Sequence, residues 1–106
     1  MLATENMFDI TRAEHSRVSE VDFDNIPFGR VFSDHMFSME YRDGKWGKGE
    51  ILPFQNLSIN PASSVIHYGQ SIFEGMKAFR QDDGNISLFR PLKNVERFNI
   101  SAERMC

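Results

Sequence analysis

Cysteine occurs once in this chain, at Cys106. A single cysteine excludes both a disulfide framework and a cysteine zinc site within one copy, and leaves that residue the role of a small buried hydrophobe. Positive charge is also short, with 12 Lys and Arg against 15 Asp and Glu and a net charge of −3. A phosphate backbone or an anionic bilayer needs a concentrated basic surface, so nucleic acid and membrane partners are disfavoured. No apolar run approaches the roughly 20 residues of a membrane span. The opening MLATENMFDITRAEH lacks the basic-then-apolar order of a secretory signal, and a cytoplasmic location is expected. The three histidines, His15, His35 and His67, have no metal-ligand spacing. There is no Gly-x-Ser-x-Gly elbow, P-loop or dinucleotide fingerprint. Hydrolase and metal chemistry therefore have no support.

What is present is aromatic. Ten Phe residues and 41% hydrophobic content indicate a chain that folds, since disordered segments are poor in such residues. Its 106 residues allow one domain at most, with a modest core. Residues 1–25 are charged and without apolar period, as in an arm lying on something else, and residues 26–106 form the domain.

Alternation over Val31–Tyr41 puts His35, Phe37, Met39 and Tyr41 on one face, the expected core face. Asp43-Gly44 is a strong hairpin signal, and Trp46–Phe54 returns as the partner strand. Gly47, Gly49 and Pro53 weaken that return and predict an edge or bulged strand. For His35 a satisfied imidazole is preferred over a metal or acid–base role, because the neighbouring Asp34 faces the other way along a strand. Asn60 as N-cap, Pro61 at the first helical position and Gly69 as left-handed stop predict a short helix ending at Tyr68.

The stretch HYGQSIFEGMKAFR, His67–Arg80, reads as one turn and one strand. On it Phe73, Gly75, Lys77 and Phe79 alternate with Glu74, Met76, Ala78 and Arg80. Both faces mix apolar and charged groups. Either the charges snorkel or pair on a sheet strand, or one face closes a ligand pocket. A second Asp-Gly turn at Asp83-Gly84 brings Ile86–Phe89 back as a hairpin partner. Leu92, Val95, Phe98, Ala102 and Met105 then mark an amphipathic helix. No Gly, Asn or Pro closes that helix before Cys106, so the natural chain is expected to continue. The class is α+β, with antiparallel hairpins forming a sheet and the C-terminal amphipathic helix packed on it.

Arg97 shares one side of this helix with Asn94 and Ser101, where a guanidinium can offer a fork of donors to phosphate oxygens. The competing account is an ion pair with an acid such as Glu96 or Glu103. Phe28, Tyr68 and Phe73 fall at a turn, a helix exit and a strand start. Pocket walls occur at such places, although plain core packing is the alternative.

The string PFQNLSINPASSVIHYGQSIFEGMKAFR, preceded by FGRVFSDHM and followed by LFRPLKNVERFNISAERMC, closely resembles the branched-chain amino acid aminotransferases. These are fold type IV enzymes that use pyridoxal 5'-phosphate. The resemblance runs from about Phe28 to Cys106. It implies a small N-terminal α/β domain, incomplete at its C-terminal end, and a homodimer. It also implies exchange of the amino group of leucine, isoleucine or valine with 2-oxoglutarate. By position, Arg97 in the Asn-x-x-Arg step would hold the cofactor phosphate, and Phe28, Tyr68 and Phe73 would line the pocket for the branched side chain. The Schiff-base lysine of that family is expected downstream of Cys106. Lys77 is not that lysine, so the chain alone is expected to be inactive. Two other readings stand beside this one: another fold type IV enzyme, such as a D-amino acid aminotransferase or an aminodeoxychorismate lyase, and a non-catalytic interaction domain.

Overall fold

The computed structural model describes residues 7–105, and the reading of Cys106 as a buried hydrophobe lies outside them. The chain divides into two compact units, Met1–Leu57 and Ser58–Cys106.

The first unit holds β1 (Phe8–Ile10), β2 (His35–Ser38), β3 (Tyr41–Arg42), β4 (Lys45–Trp46) and β5 (Gly49–Pro53). Its main sheet runs β1-β5-β2. β2 and β5 pair antiparallel, from His35 opposite Pro53 to Ser38 opposite Glu50. β1 lies parallel to β5, with Phe8 opposite Gly49. The N-terminal segment thus contributes a strand, and β5 is central where an edge was expected. Pro53 is tolerated there because β1 reaches only as far as Ile51, so the missing N–H breaks no ladder bond. Gly49 is the one buried residue among those described. A Cβ at that position would stand 2.8 Å from atoms of both Phe8 and Phe37. These two rings meet edge to face at 5.6 Å, and the glycine makes room for them.

The first hairpin is shorter than its alternation suggests. At its start the Asp34 carbonyl still accepts the Phe54 N–H at 2.8 Å, while the Asp34 carboxylate accepts the backbone N–H of Arg17, at 3.0 Å, and the hydroxyl of Ser16, at 2.7 Å. Beyond Ser38 the pairing restarts as the separate β3–β4 ribbon. Its turn residues Asp43 (φ 54°) and Gly44 (φ 79°) are both left-handed, as a tight hairpin of right-twisted strands requires. The face expected to be core does not close over. Phe37 is 56% exposed, and among the described residues no hydrophobic side chain is buried.

The second unit contains α1 (Ser64–Tyr68), β6 (Ala78–Arg80), β7 (Ile86–Leu88) and α2 (Pro91–Met105). α1 starts three residues later than Pro61. Asn60 spends its side-chain oxygen on the N–H of Ala62, at 2.8 Å, and its carbonyl on Ser63, at 2.9 Å, making a turn rather than a cap. Gly69 stops the helix in the left-handed conformation, φ 59°, as expected. β6 and β7 form their own antiparallel pair around the Asp83-Gly84 turn. One sheet was expected, and the described residues form three small ones.

The strand expected over 72–80 shrinks to Ala78–Arg80. Glu74 explains the loss. Its carboxylate accepts the N–H of Gly75 at 3.0 Å and turns toward α2, which takes the local backbone out of strand pairing. α2 accordingly meets the irregular stretch before β6 through Asn94, which donates to the Gly75 carbonyl at 2.8 Å. The expectation of a helix laid on a continuous sheet is corrected to this side-chain clamp.

Candidate anion site on the C-terminal helix

α2 opens sharply. Arg90 takes a left-handed φ of 47°, Pro91 supplies the fixed first-turn φ, and the Lys93 N–H closes back on the Arg90 carbonyl at 3.0 Å. One turn further, Asn94 and Arg97 lie on the same face, three residues apart.

Glu74 joins them. Arg97 donates Nε–H to Glu74 Oε2 at 2.7 Å and Nη2–H to Oε1, the fork-on-fork arrangement of a bidentate ion pair. Asn94 Nδ2 donates to the same Oε1 at 3.0 Å. The Glu74 side chain is only 9% exposed whereas that of Arg97 is 68% exposed. The acid is covered by its own partners and the base stays open. The hydrogen bonds from Arg97, then the one from Asn94, hold the Glu74 carboxyl down from 4.5 to about 2, and Glu74 in turn raises Arg97 above its ordinary value.

Two of the five guanidinium N–H groups are used in this pair. The Nη1 pair and one Nη2–H remain. An open recess of about 380 Å³ is lined by Phe89, Arg90, Lys93, Asn94 and Arg97. Three of its five lining residues are cationic, although Lys93 also reaches Glu96 at 2.6 Å. Such a donor set suits a phosphate dianion.

The ion pair expected of Arg97 with Glu96 or Glu103 is instead made with Glu74, 23 positions earlier. No local spacing announces a partner at that distance. The only sequence hint is an acid between Phe73 and Gly75, where β alternation fails to give one dry face. Tyr68 and Phe73 are 86% and 91% exposed, and neither lines the recess beside Arg97. Phe28, in the first unit, is fully exposed at the Pro27–Arg30 turn. His35 accepts the Ala13 N–H on Nε2 at 2.9 Å, so one ring nitrogen is committed to holding the backbone.

Fold and site together describe a mixed α/β segment with an exposed basic fork beside an open recess. No family model matches the chain. Curated relatives narrow the class. The chain is 49% identical over 92 residues to the chloroplastic branched-chain-amino-acid aminotransferase 5 of Arabidopsis thaliana, covering 86% of this chain and 22% of that protein. It is 51% identical over 86 residues to branched-chain-amino-acid aminotransferase 2 of Bacillus subtilis, 80% of this chain and 24% of that one. It is 44% identical over 98 residues to the cytosolic branched-chain-amino-acid aminotransferase of Saccharomyces cerevisiae, 92% and 26%. Over most of its length the chain is therefore similar to the N-terminal part of branched-chain-amino-acid aminotransferases. It spans about a quarter of the length of these relatives.

Proposed function

We propose that the protein carrying this chain is a pyridoxal-phosphate-dependent transaminase for leucine, isoleucine and valine. It would pass the amino group to 2-oxoglutarate and work as a homodimer of fold type IV subunits. The observation that carries the reading is the 42–51% identity to proteins of that name along four-fifths or more of this chain.

Within that reading residues 26–106 act as the small N-terminal domain. Arg97, with its outward guanidinium edge, holds the cofactor phosphate and offsets its charge. Phe28, Tyr68 and Phe73 wall the pocket that receives the branched side chain. Their high exposure in the chain by itself is the condition of walls that a further domain or a second subunit would cover. When bound, the cofactor supplies an electron sink for the Cα–H and Cα–N bonds of the amino acid. An aliphatic pocket separates substrates one methylene apart by only about 1 to 3 kcal/mol, so all three amino acids should turn over.

The test is a transamination assay of the whole enzyme with L-leucine, L-isoleucine, L-valine and D-alanine against 2-oxoglutarate. Turnover of the three L-amino acids without D-alanine is expected. Turnover of D-alanine alone would move the protein to the D-amino acid branch of the same fold type. No turnover of any would favour a non-catalytic domain. In the same enzyme Arg97→Ala should release cofactor on dialysis, followed by loss of its bound absorbance. Full retention would remove Arg97 from the site.

A further inference from the structure

Glu74 and Arg97 are unequal partners. Glu74 Oε1 accepts from Arg97 Nη2, Asn94 Nδ2 and the Gly75 N–H, and Oε2 accepts from Arg97 Nε. Asn94 uses its other amide proton on the Gly75 carbonyl, so the acid and its backbone are pinned to α2 from two sides. Both carboxylate oxygens are therefore engaged inside the clamp, while the Arg97 side chain keeps N–H groups without a partner in the clamp, stays 68% exposed and helps line the Arg90–Lys93 recess. A long cationic side chain normally loses rotamer freedom when it grips a ligand, and a side chain already held has less to lose.

We propose that Glu74 is a positioning residue which, steadied by Asn94, holds the Arg97 guanidinium by its Nε edge and presents the opposite edge to a phosphate group. The proposal rests on the reading of Arg97 as the phosphate holder. It also carries a cost that sets the sign of its test. A carboxylate near an anion repels it, so Glu74 helps only if the fixed geometry outweighs that repulsion.

The experiment uses the whole enzyme freed of cofactor and titrated separately with pyridoxal 5'-phosphate, with pyridoxal, which lacks the phosphate, and with inorganic phosphate. Glu74→Gln keeps the shape and removes the charge. It should weaken pyridoxal 5'-phosphate and inorganic phosphate by about tenfold, the size of one charge-assisted contact, and leave pyridoxal within about twofold. Adding Glu74→Gln to Arg97→Ala should cost nothing further, because the two act as a unit. Tighter phosphate binding by Glu74→Gln would overturn the proposal, since the acid would then be a competitor. Equal loss of pyridoxal and its phosphate ester would also overturn it, by making Glu74 a folding residue. If Glu74→Gln does not fold, Asn94→Ala decides: a smaller loss of the same phosphate-selective kind is expected, and an unchanged phosphate preference refutes the idea. Arg97→Ala separates the two layers. Lost phosphate preference there, with preference intact in Glu74→Gln, sinks only the positioning role. Retained preference in Arg97→Ala sinks the phosphate reading and this proposal together.

Discussion

Arg97 and Glu74 show what one pair of side chains does to the surroundings of a site. With its folded pKa held from 4.5 down to about 2, Glu74 favours the folded clamp as a carboxylate. For a depressed acid the contribution is complete above the ordinary value and is lost as pH falls through the folded one. The second unit should therefore lose stability between about pH 4.5 and 2. A carboxyl-carbon NMR titration should place the Glu74 midpoint near 2, and Glu74→Gln should remove that part of the acid transition. A midpoint at the ordinary value would mean that the pair does not form in solution. Phe73 belongs to the same scale. If it walls the side-chain pocket, Phe73→Ala should reduce leucine turnover well beyond its effect on cofactor retention. Equal losses in both would instead mark a folding defect.

At the scale of elements, glycine decides two local structures. β5 carries Gly49 where Phe8 and Phe37 cross it, and a methyl there would press against ring atoms 2.8 Å away. Gly49→Ala should force both rings aside and destabilise the β1-β5-β2 sheet by about 1 to 3 kcal/mol, the usual cost of overpacking. Denaturant unfolding followed through amide signals of Ile10 and Ile51 would measure it. At the β3–β4 turn the effect is conformational. Gly44 has open space around it but a φ of 79°, so Gly44→Ala should cost about 1 kcal/mol through backbone strain alone. The two substitutions separate crowding from strain, since only the first should be relieved by trimming Phe8 or Phe37.

Across the whole molecule, apolar surface has not been put away. Phe28, Tyr68, Phe73 and Phe89 are all 80% exposed or more, and no hydrophobic side chain among the described residues is buried. Surfaces of that kind are covered in a working protein or cause association. The 106-residue chain by itself should bind a hydrophobic dye, self-associate with rising concentration and unfold over a broad denaturant range. Within the full-length transaminase proposed above it should show none of these. A monomeric, dye-free, sharply unfolding chain would contradict the picture. No helix of the described residues is long and apolar enough to cross a membrane, so a membrane-spanning helix does not account for this surface.

The sequence by itself determined the features that depend on neighbours in the chain. These are both Asp-Gly turns, the left-handed stop at Gly69, the span of α2 and the placing of Asn94 and Arg97 on one helix face. Each follows from backbone sterics or helical period within a few residues. The family likeness was legible too, in the ordered string from Phe28 onward. Tertiary structure alone decided that β1 would join β5, that Gly49 would seat two rings, and that Arg97 would take Glu74 rather than Glu96 or Glu103. It also broke the strand expected over 72–80, because a carboxylate gains more from four donors gathered across 23 residues than its backbone gains from continuing a ladder. Alternation along the chain shows at most that neither face around Glu74 is dry, and does not name a partner that folding brings from so far away.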